Sequence, residues 1–226
     1  MLKYKSLKEL VYEYLYKKIN SGSLQPKDKL NENQICKDLN VSRTPIREAL
    51  VQLENEGYIK RLQRRGFIVR EINQNQIKEI YKILGSLEGL AASDAVDHLM
   101  ESDLEAMAKL TKRMDAAIKK RNVSQYFELQ RSFHNKYIAA SGNAELTKLI
   151  SSLKKRFIKK AYFRHENEEI LYETLQRNNN HHKEILKLLK KKDKKGVEQY
   201  LEEVHWNFNS ANLIISTFKA SNSNTQ

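Results

Sequence analysis

The sequence predicts a mainly α-helical protein in two parts: three helices and a β-hairpin over residues 1–72, then an all-helical bundle over residues 73–226. Three observations carry this prediction. Both prolines, Pro26 and Pro45, lie in the first fifth of the chain, so the 181 residues after Pro45 lack the residue that most strongly breaks a helix. From Ile77 onward apolar residues recur at three- and four-residue spacing with only short interruptions. Between these regions the polar run from Arg70 to Gln76 separates a strand-like pattern from a helical one, which places the domain boundary there.

The first part is read element by element. Leu7, Leu10, Val11, Tyr14, Leu15 and Ile19 make one apolar stripe on a first helix that Ser21-Gly22 ends. A turn containing Pro26 follows. The second helix turns Ile35, Cys36 and Leu39 inward and breaks at Asn40. The third has the strongest signals: Thr44 as cap, Pro45 in the first turn, Ile46, Ala49, Leu50 and Leu53 as buried stripe, and Gly57 as stop. Tyr58–Leu62 and Phe67–Val69 then read as short strands, joined by a turn over Gln63-Arg64-Arg65-Gly66. In the second part, helical segments are expected near 77–99, 102–120, 124–140, 145–163, 167–190 and 194–217, with Gly142 ending the third. The final residues, 220–226, are expected to fray.

Composition limits the function. A 40% hydrophobic and 31% charged chain is that of a folded globular protein, and no apolar run approaches the length of a membrane span. The N-terminus alternates Lys with Leu and has no secretory core, so the cytoplasm is the expected compartment and no membrane partner is expected. Cys36 is the only cysteine, which excludes an intrachain disulfide or a thiolate metal cluster within one chain, and it reads as a small buried residue. The net charge of +13 favours an anionic partner, nucleic acid ahead of a membrane surface. Residues 1–70 carry 15 basic against 8 acidic side chains, a denser excess than in the rest of the chain. The basic run Lys187–Lys195 lies between helical segments and reads as a solvated turn.

Two short helices at a sharp angle, the second opening with small polar and basic residues, make a helix-turn-helix that enters the major groove by its N-terminal end. Ser42, Arg43, Thr44 and Arg47 sit at that end. Arg pairs bidentately with guanine, Ser and Thr meet a base edge or a phosphate, and free amides at a helix start favour a phosphate. Arg64 and Arg65 at the hairpin tip suit a narrow minor groove, with Gly66 allowing the tight turn. Singly, each feature has a plainer explanation: Ser and Thr cap helices, and surface Arg is usually solvated. Together, VSRTPIREALVQLENEGYIKRLQRRGFIV, with LNENQICKDLN before it, resembles the winged helix-turn-helix DNA-binding domain of the GntR family over nearly all of residues 6–70. The resemblance implies operator contacts by Arg43, Thr44 and Arg47 from the recognition helix and by Arg65 and Gly66 from the wing. Asn33 stands where some members carry a DNA-contacting Arg on the second helix.

The second part resembles the ligand-sensing FCD domain of the FadR subfamily. Leu87-Glu88-Gly89-Leu90-Ala91-Ala92, Phe133-His134 with Ala140-Ser141-Gly142-Asn143, and His182 with Ile185-Leu186 carry the likeness. It implies a homodimer, a small-molecule effector, usually an organic acid, and one divalent zinc or nickel ion held by a carboxylate and three imidazoles. His134 and His182 fall on two ligand positions. Gln130 stands where the family usually has Asp, and alignment of the last helix puts Val204 in the third imidazole slot, with His205 one residue late. On a helix one residue is a rotation of about 100°. A shifted loop before that helix is one way to restore His205; the alternative is that these histidines are bonded only to neighbours or water. His98, His165 and His181 read as surface or boundary residues. Leu84 replaces an Arg that many relatives use against an acidic ligand, which opens the alternative of a more apolar, fatty-acyl-like effector and no metal.

The expected function is a dimeric, metabolite-responsive repressor that binds a double-stranded, pseudo-palindromic DNA operator, and not an enzyme. A metal-dependent helical hydrolase is the remote alternative, since the chain has no phosphate loop, no His-Glu-x-x-His helix and no nucleophile setting. A nonspecific architectural DNA-binding protein is the third reading; it would bind with a steep salt slope and no sequence preference.

Overall fold

A computed structural model of the chain describes residues 5–63, 66–71, 74–162 and 168–208, with the side chains of 20, 74 and 155–162 outside the described set. Two compact units divide it: Met1–Asn73 with Lys155–Phe163, and Gln74–Lys154 with Arg164–Gln226.

The first unit opens with α1 (Leu7–Asn20). Its start is a reciprocal capping box: the Ser6 hydroxyl accepts from the Glu9 amide at 3.2 Å, and the Glu9 carboxylate accepts from the Ser6 amide at 2.7 Å. Helix α2 (Glu32–Leu39) is capped by Asn31 and ends where Asn40 takes a left-handed conformation. Helix α3 (Arg43–Asn55) closes in a Schellman turn, in which the Gly57 amide donates to Glu54 and the Tyr58 amide to Leu53. Its N-cap is Ser42, in extended backbone and without a side-chain cap bond, so Thr44 lies inside the helix and not at its cap.

Strands β2 (Ile59–Leu62) and β3 (Gly66–Val69) form the expected hairpin, pairing Ile59 with Val69 and Leu62 with Gly66. The sequence reading missed β1 (Lys29–Leu30), which pairs with the other edge of β3 to give the order β1-β3-β2. Two residues beside a proline turn carry no period, and only the free edge of β3 makes them a strand. Val11, Leu15 and Ile19 of α1, Ile35 of α2, Ile46, Ala49, Leu50 and Leu53 of α3, and Tyr58, Ile59, Phe67 and Val69 of the sheet form one core. Cys36 is half-buried against it, less enclosed than the sequence suggested.

The second unit contains α4 (Gln74–Ala95), α5 (Glu101–Lys119), α6 (Val123–Ala140), the part of α7 (Ala144–Tyr162) up to Lys154, α8 (Glu168–Lys190) and α9 (Lys194–Tyr200). Helix α4 begins inside the polar run assigned to the linker, because Gln74–Gln76 continue the helix of Ile77. Helix α5 packs on α6 and α8, while α4 packs on α6 and α9. The apolar faces supply Leu84 and Ala91, Met107 and Met114, Phe133, Leu175 and Ile185, and Val197, all buried. Among the described residues no helix is long and apolar enough to cross a membrane.

The last helix departs from expectation. Instead of running unbroken, α9 gives way to a π-helical turn over Leu201–His205, where the Trp206 amide donates to the Leu201 carbonyl at 3.0 Å. Such a bond spans five residues instead of four and so absorbs one extra residue in the turn. The predicted continuation from 209 to 217 lies outside the described residues.

Candidate functional site

Two sets of side chains stand out, one in each unit. On α3 the face made by Ile46, Ala49, Leu50 and Leu53 is fully buried, which fixes the helix's rotation and leaves Ser42, Arg43, Thr44 and Arg47 exposed at its N-terminal end. Arg43 donates from Nη2 to the Oδ1 of Asn33 at 2.9 Å, and Arg47 from Nε to the Glu32 carboxylate at 3.1 Å. Asn33, on the first turn of α2, is itself exposed. On the wing, Gly66 has φ +79°, a conformation that strains any residue with a Cβ, and it is exposed. Arg64 and Arg65 lie outside the described residues.

The other set is a triangle of buried imidazoles. His134 comes from α6, His182 from α8 and His205 from the π-turn, with ring centroids 5.0 to 5.1 Å apart on all three sides. They are 2%, 0% and 8% exposed, and one nitrogen from each lies within 4.8 Å of the others. The π-turn is what completes the triangle. On a regular α-helix Val204 would hold that angular position; the extra residue in the turn carries His205 forward by one place, about 100°, and leaves Val204 only half-buried. A turn within the helix itself therefore brings His205 to the triangle.

Close helix crossing builds the floor of the triangle. Gly85 and Gly89 on α4 lie one turn apart, and a Cβ added to them would come within 3.1 Å of the Glu202 Cα and 3.0 Å of the Glu198 carbonyl oxygen. A side chain at either place would crowd the backbone of α9 or the π-turn by a few tenths of an ångström, so glycine favours the close approach of α4. Between them Glu88 is fully buried. Its Oε2 lies 2.6 Å from His134 Nδ1 and accepts a short bond from the Tyr137 hydroxyl, while its Oε1 pairs with Lys154 Nζ at 2.5 Å. The Lys154 ammonium also stands 5.7 Å from the centre of the Trp206 ring, which in turn edges His134 and His205.

Electrostatics fix the protonation of the set. Burial pushes the Glu88 carboxyl up, but Lys154 and His134 pull it further down, so it is ionised and sits well below the usual carboxylate range. Burial holds His134 below the ordinary imidazole value despite Glu88, and holds His182 and His205 far below it, reinforced by the neighbouring histidines. All three rings are therefore neutral at pH 7. With Glu88 accepting at Nδ1, His134 turns a bare Nε2 inward, 3.1 Å from the Nε2 of His182. The Nδ1 atoms of His182 and His205 are buried without a hydrogen-bond partner.

This donor set fits a divalent ion. A tetrahedral centre with Zn–N bonds near 2.0 Å needs nitrogens about 3.3 Å apart, within reach of small ring movements here. A carboxylate that orients an imidazole by its distal nitrogen is the usual support of such a ligand. Gln130, one helical turn before His134 on α6, is buried. His181 is half-buried beside the triangle and His98 is exposed, whereas His165 lies outside the described residues.

Sequence reading found the three histidines but gave no role to Glu88, Tyr137, Lys154 or Trp206. The signal for Glu88 was present: a carboxylate on the α4 face that otherwise buries Leu84, Ala91, Ala92 and Ala95.

Two family models match the chain. The model for the FCD domain covers residues 79–205, and the one described as bacterial regulatory proteins, gntR family, covers residues 7–69. The chain belongs to the FCD branch of the GntR family. Among individual proteins, it is 34% identical to the HTH-type transcriptional regulator YdhC of Bacillus subtilis over 62% of either chain. It is 29% identical to the HTH-type transcriptional regulator McbR of Escherichia coli over 90% of this chain and 91% of that one. Matches to the first relatives are partial, spanning 62% of YdhC and 64% of the Nta operon transcriptional regulator of Aminobacter aminovorans. The solved structure of E. coli McbR/YncC superposes on this GntR-family chain with a TM-score of 0.74 at 27% identity, covering 95% of this chain and all of that one. These families and relatives are transcriptional regulators and not enzymes, so the hydrolase reading of the histidines is dropped.

Proposed function

We propose that this protein is a homodimeric, sequence-specific DNA-binding repressor that reads a pseudo-palindromic operator and responds to a small organic acid. Residues 1–72 are the DNA-binding domain and residues 73–226 the effector-binding and dimerisation domain of a regulator working in the cytoplasm. The observation that carries this reading is the exposed start of α3, where Ser42, Arg43, Thr44 and Arg47 stand on a helix whose other face is fully buried. Docked by that end in the major groove, the arginines face guanine edges and the hydroxyls face phosphates or bases. Arg64, Arg65 and Gly66 follow the adjacent minor groove.

Dimerisation is supported by α4. Ile80, Ile83, Leu87 and Leu90 recur at spacings of three and four on its outer side, with Ile83 and Leu90 46% and 42% exposed. A stripe of that period suits packing against the same helix of a second copy. In the sensor, His134, His182 and His205 hold zinc or nickel, with the Gln130 amide oxygen available as a further ligand. When bound, the ion supplies a Lewis-acid site for a carboxylate. Lys154, paired with Glu88, places an ammonium close to the set, which favours an acid over an apolar effector. The acid can switch DNA affinity only by binding the DNA-competent and DNA-incompetent arrangements unequally.

Selection of the full chain against random duplex DNA, followed by footprinting upstream of its own gene, tests the reading. Enrichment of two half-sites related by a dyad is the expected outcome. Uniform binding with a steep salt slope would instead make it a nonspecific architectural protein.

The π-turn gives a second test. Deleting exposed Glu203 removes the extra residue and leaves a regular α-helix in which the histidine occupies the same angular place. Zinc titration of the deletion variant should give a dissociation constant within about tenfold of the parent. Abolished zinc binding would mean that the turn itself, and not merely its rotation of His205, is required.

A further inference from the structure

The first turn of α2 does more than support the recognition helix. Arg43 and Arg47 lie four apart on α3 and so share one face. Each is tied to a different side chain of the same α2 turn: Arg47 Nε to Glu32 at 3.1 Å and Arg43 Nη2 to Asn33 at 2.9 Å. Asn31 holds that turn in place, its Oδ1 accepting from the amides of Asn33 and Gln34 at 3.0 and 3.2 Å. The Arg47 side chain is 65% exposed and that of Glu32 only 24%. The carboxylate is thus the anchored partner and the guanidinium the presented one.

An exposed ion pair of this kind adds little to stability. Its consequence is geometric. An arginine has a flexible stem and five N–H donors in a planar fork. With Nε occupied by Glu32, the fork of Arg47 is held in one plane, and among the described residues its two Nη groups, side by side, bond to no other side chain. That is the pair that meets O6 and N7 of a guanine. Asn33 restrains Arg43 in the same way through one Nη, leaving its other N–H groups for DNA.

We propose that Glu32 is a positioning residue for base readout: it sets sequence specificity by orienting Arg47 without touching a base, and Asn33 does the same for Arg43. The inference rests on the DNA-reading function proposed above. It differs from a simple electrostatic brake, in which the Glu32 charge repels DNA and its removal strengthens binding to every sequence equally. It also differs from a structural role, in which the loss would follow the fold.

The test uses the full chain, the best duplex recovered from random-DNA selection, and a scrambled duplex of the same composition. Glu32→Ala should lower the ratio of selected to scrambled affinity by about tenfold, roughly the worth of one ordered hydrogen-bonding group. Affinity for the scrambled duplex should hold or rise slightly as a negative charge is removed. Glu32→Gln, which keeps an acceptor for Nε, should recover much of the ratio. In an Arg47→Ala background the effect of Glu32→Ala should vanish, because the group it positions is gone. Equal gains on both duplexes would overturn the inference in favour of a brake. A loss that persists without Arg47, or that tracks a lowered melting temperature, would overturn it in favour of a structural role. If the unsubstituted chain itself prefers no sequence, the proposed function fails; if it discriminates and Glu32→Ala discriminates equally well, only the positioning role fails.

Discussion

His182→Ala is expected to empty the imidazole triangle of metal. Protein purified without chelator should carry about one zinc or nickel ion per chain by elemental analysis, and the variant less than about a tenth of that, because two imidazoles cannot complete a stable site. His182 is fully buried and its inward nitrogen lies 3.1 Å from that of His134, so its loss removes a nitrogen from the middle of the set. His205→Ala should do the same. Glu88→Gln is the graded control: it keeps the shape but weakens the acceptor at His134 Nδ1, and should cost ten- to a hundredfold in affinity. Unsubstituted protein that carries no metal and binds none on titration would refute the site.

Acid provides an independent reading of the same cluster. The imidazoles of His182 and His205 are held well below the ordinary value of 6.5 by burial and by neighbouring histidines, His134 beside both, so in the folded state they stay neutral as pH falls. The unfolded chain protonates near 6.5 and binds more protons than the folded one below that point, so stability rises with pH there. Metal-free protein should therefore keep its stability above about pH 6.5 and lose it progressively below, with the loss reduced in His182→Ala.

Arg43→Ala should cut operator affinity by about ten- to a hundredfold while lowering affinity for random duplex only a few-fold, as expected when a bidentate base contact worth about 1–3 kcal/mol is removed. The side chain is exposed and, among the described residues, bonds to Asn33 alone, so the fold should not change. Competition binding at fixed salt, with thermal denaturation as control, measures both quantities. Equal losses on operator and random DNA would assign Arg43 to a phosphate and move base recognition elsewhere on α3.

Much of this protein is local and was legible along the chain. The stripe Ile46, Ala49, Leu50 and Leu53 determines which side of α3 is buried, and so which side shows Arg43 and Arg47. The period of α6 and α8 turns His134 and His182 inward for the same reason: each is set by neighbours three and four residues away. Other features depend on partners far away in sequence, which no period encodes. Glu88 reads as an isolated charge until α4 and α6 bring it to His134 and Tyr137 and α7 supplies Lys154. The clamp of Arg47 by Glu32 needs the angle between α2 and α3. His205 is the clearest case. The sequence by itself placed Val204 in the expected ligand position and His205 one residue beyond it. Only the tertiary structure decided the outcome, because the bond from the Trp206 amide to the Leu201 carbonyl takes one extra residue into the turn and so points His205, and not Val204, into the buried triangle.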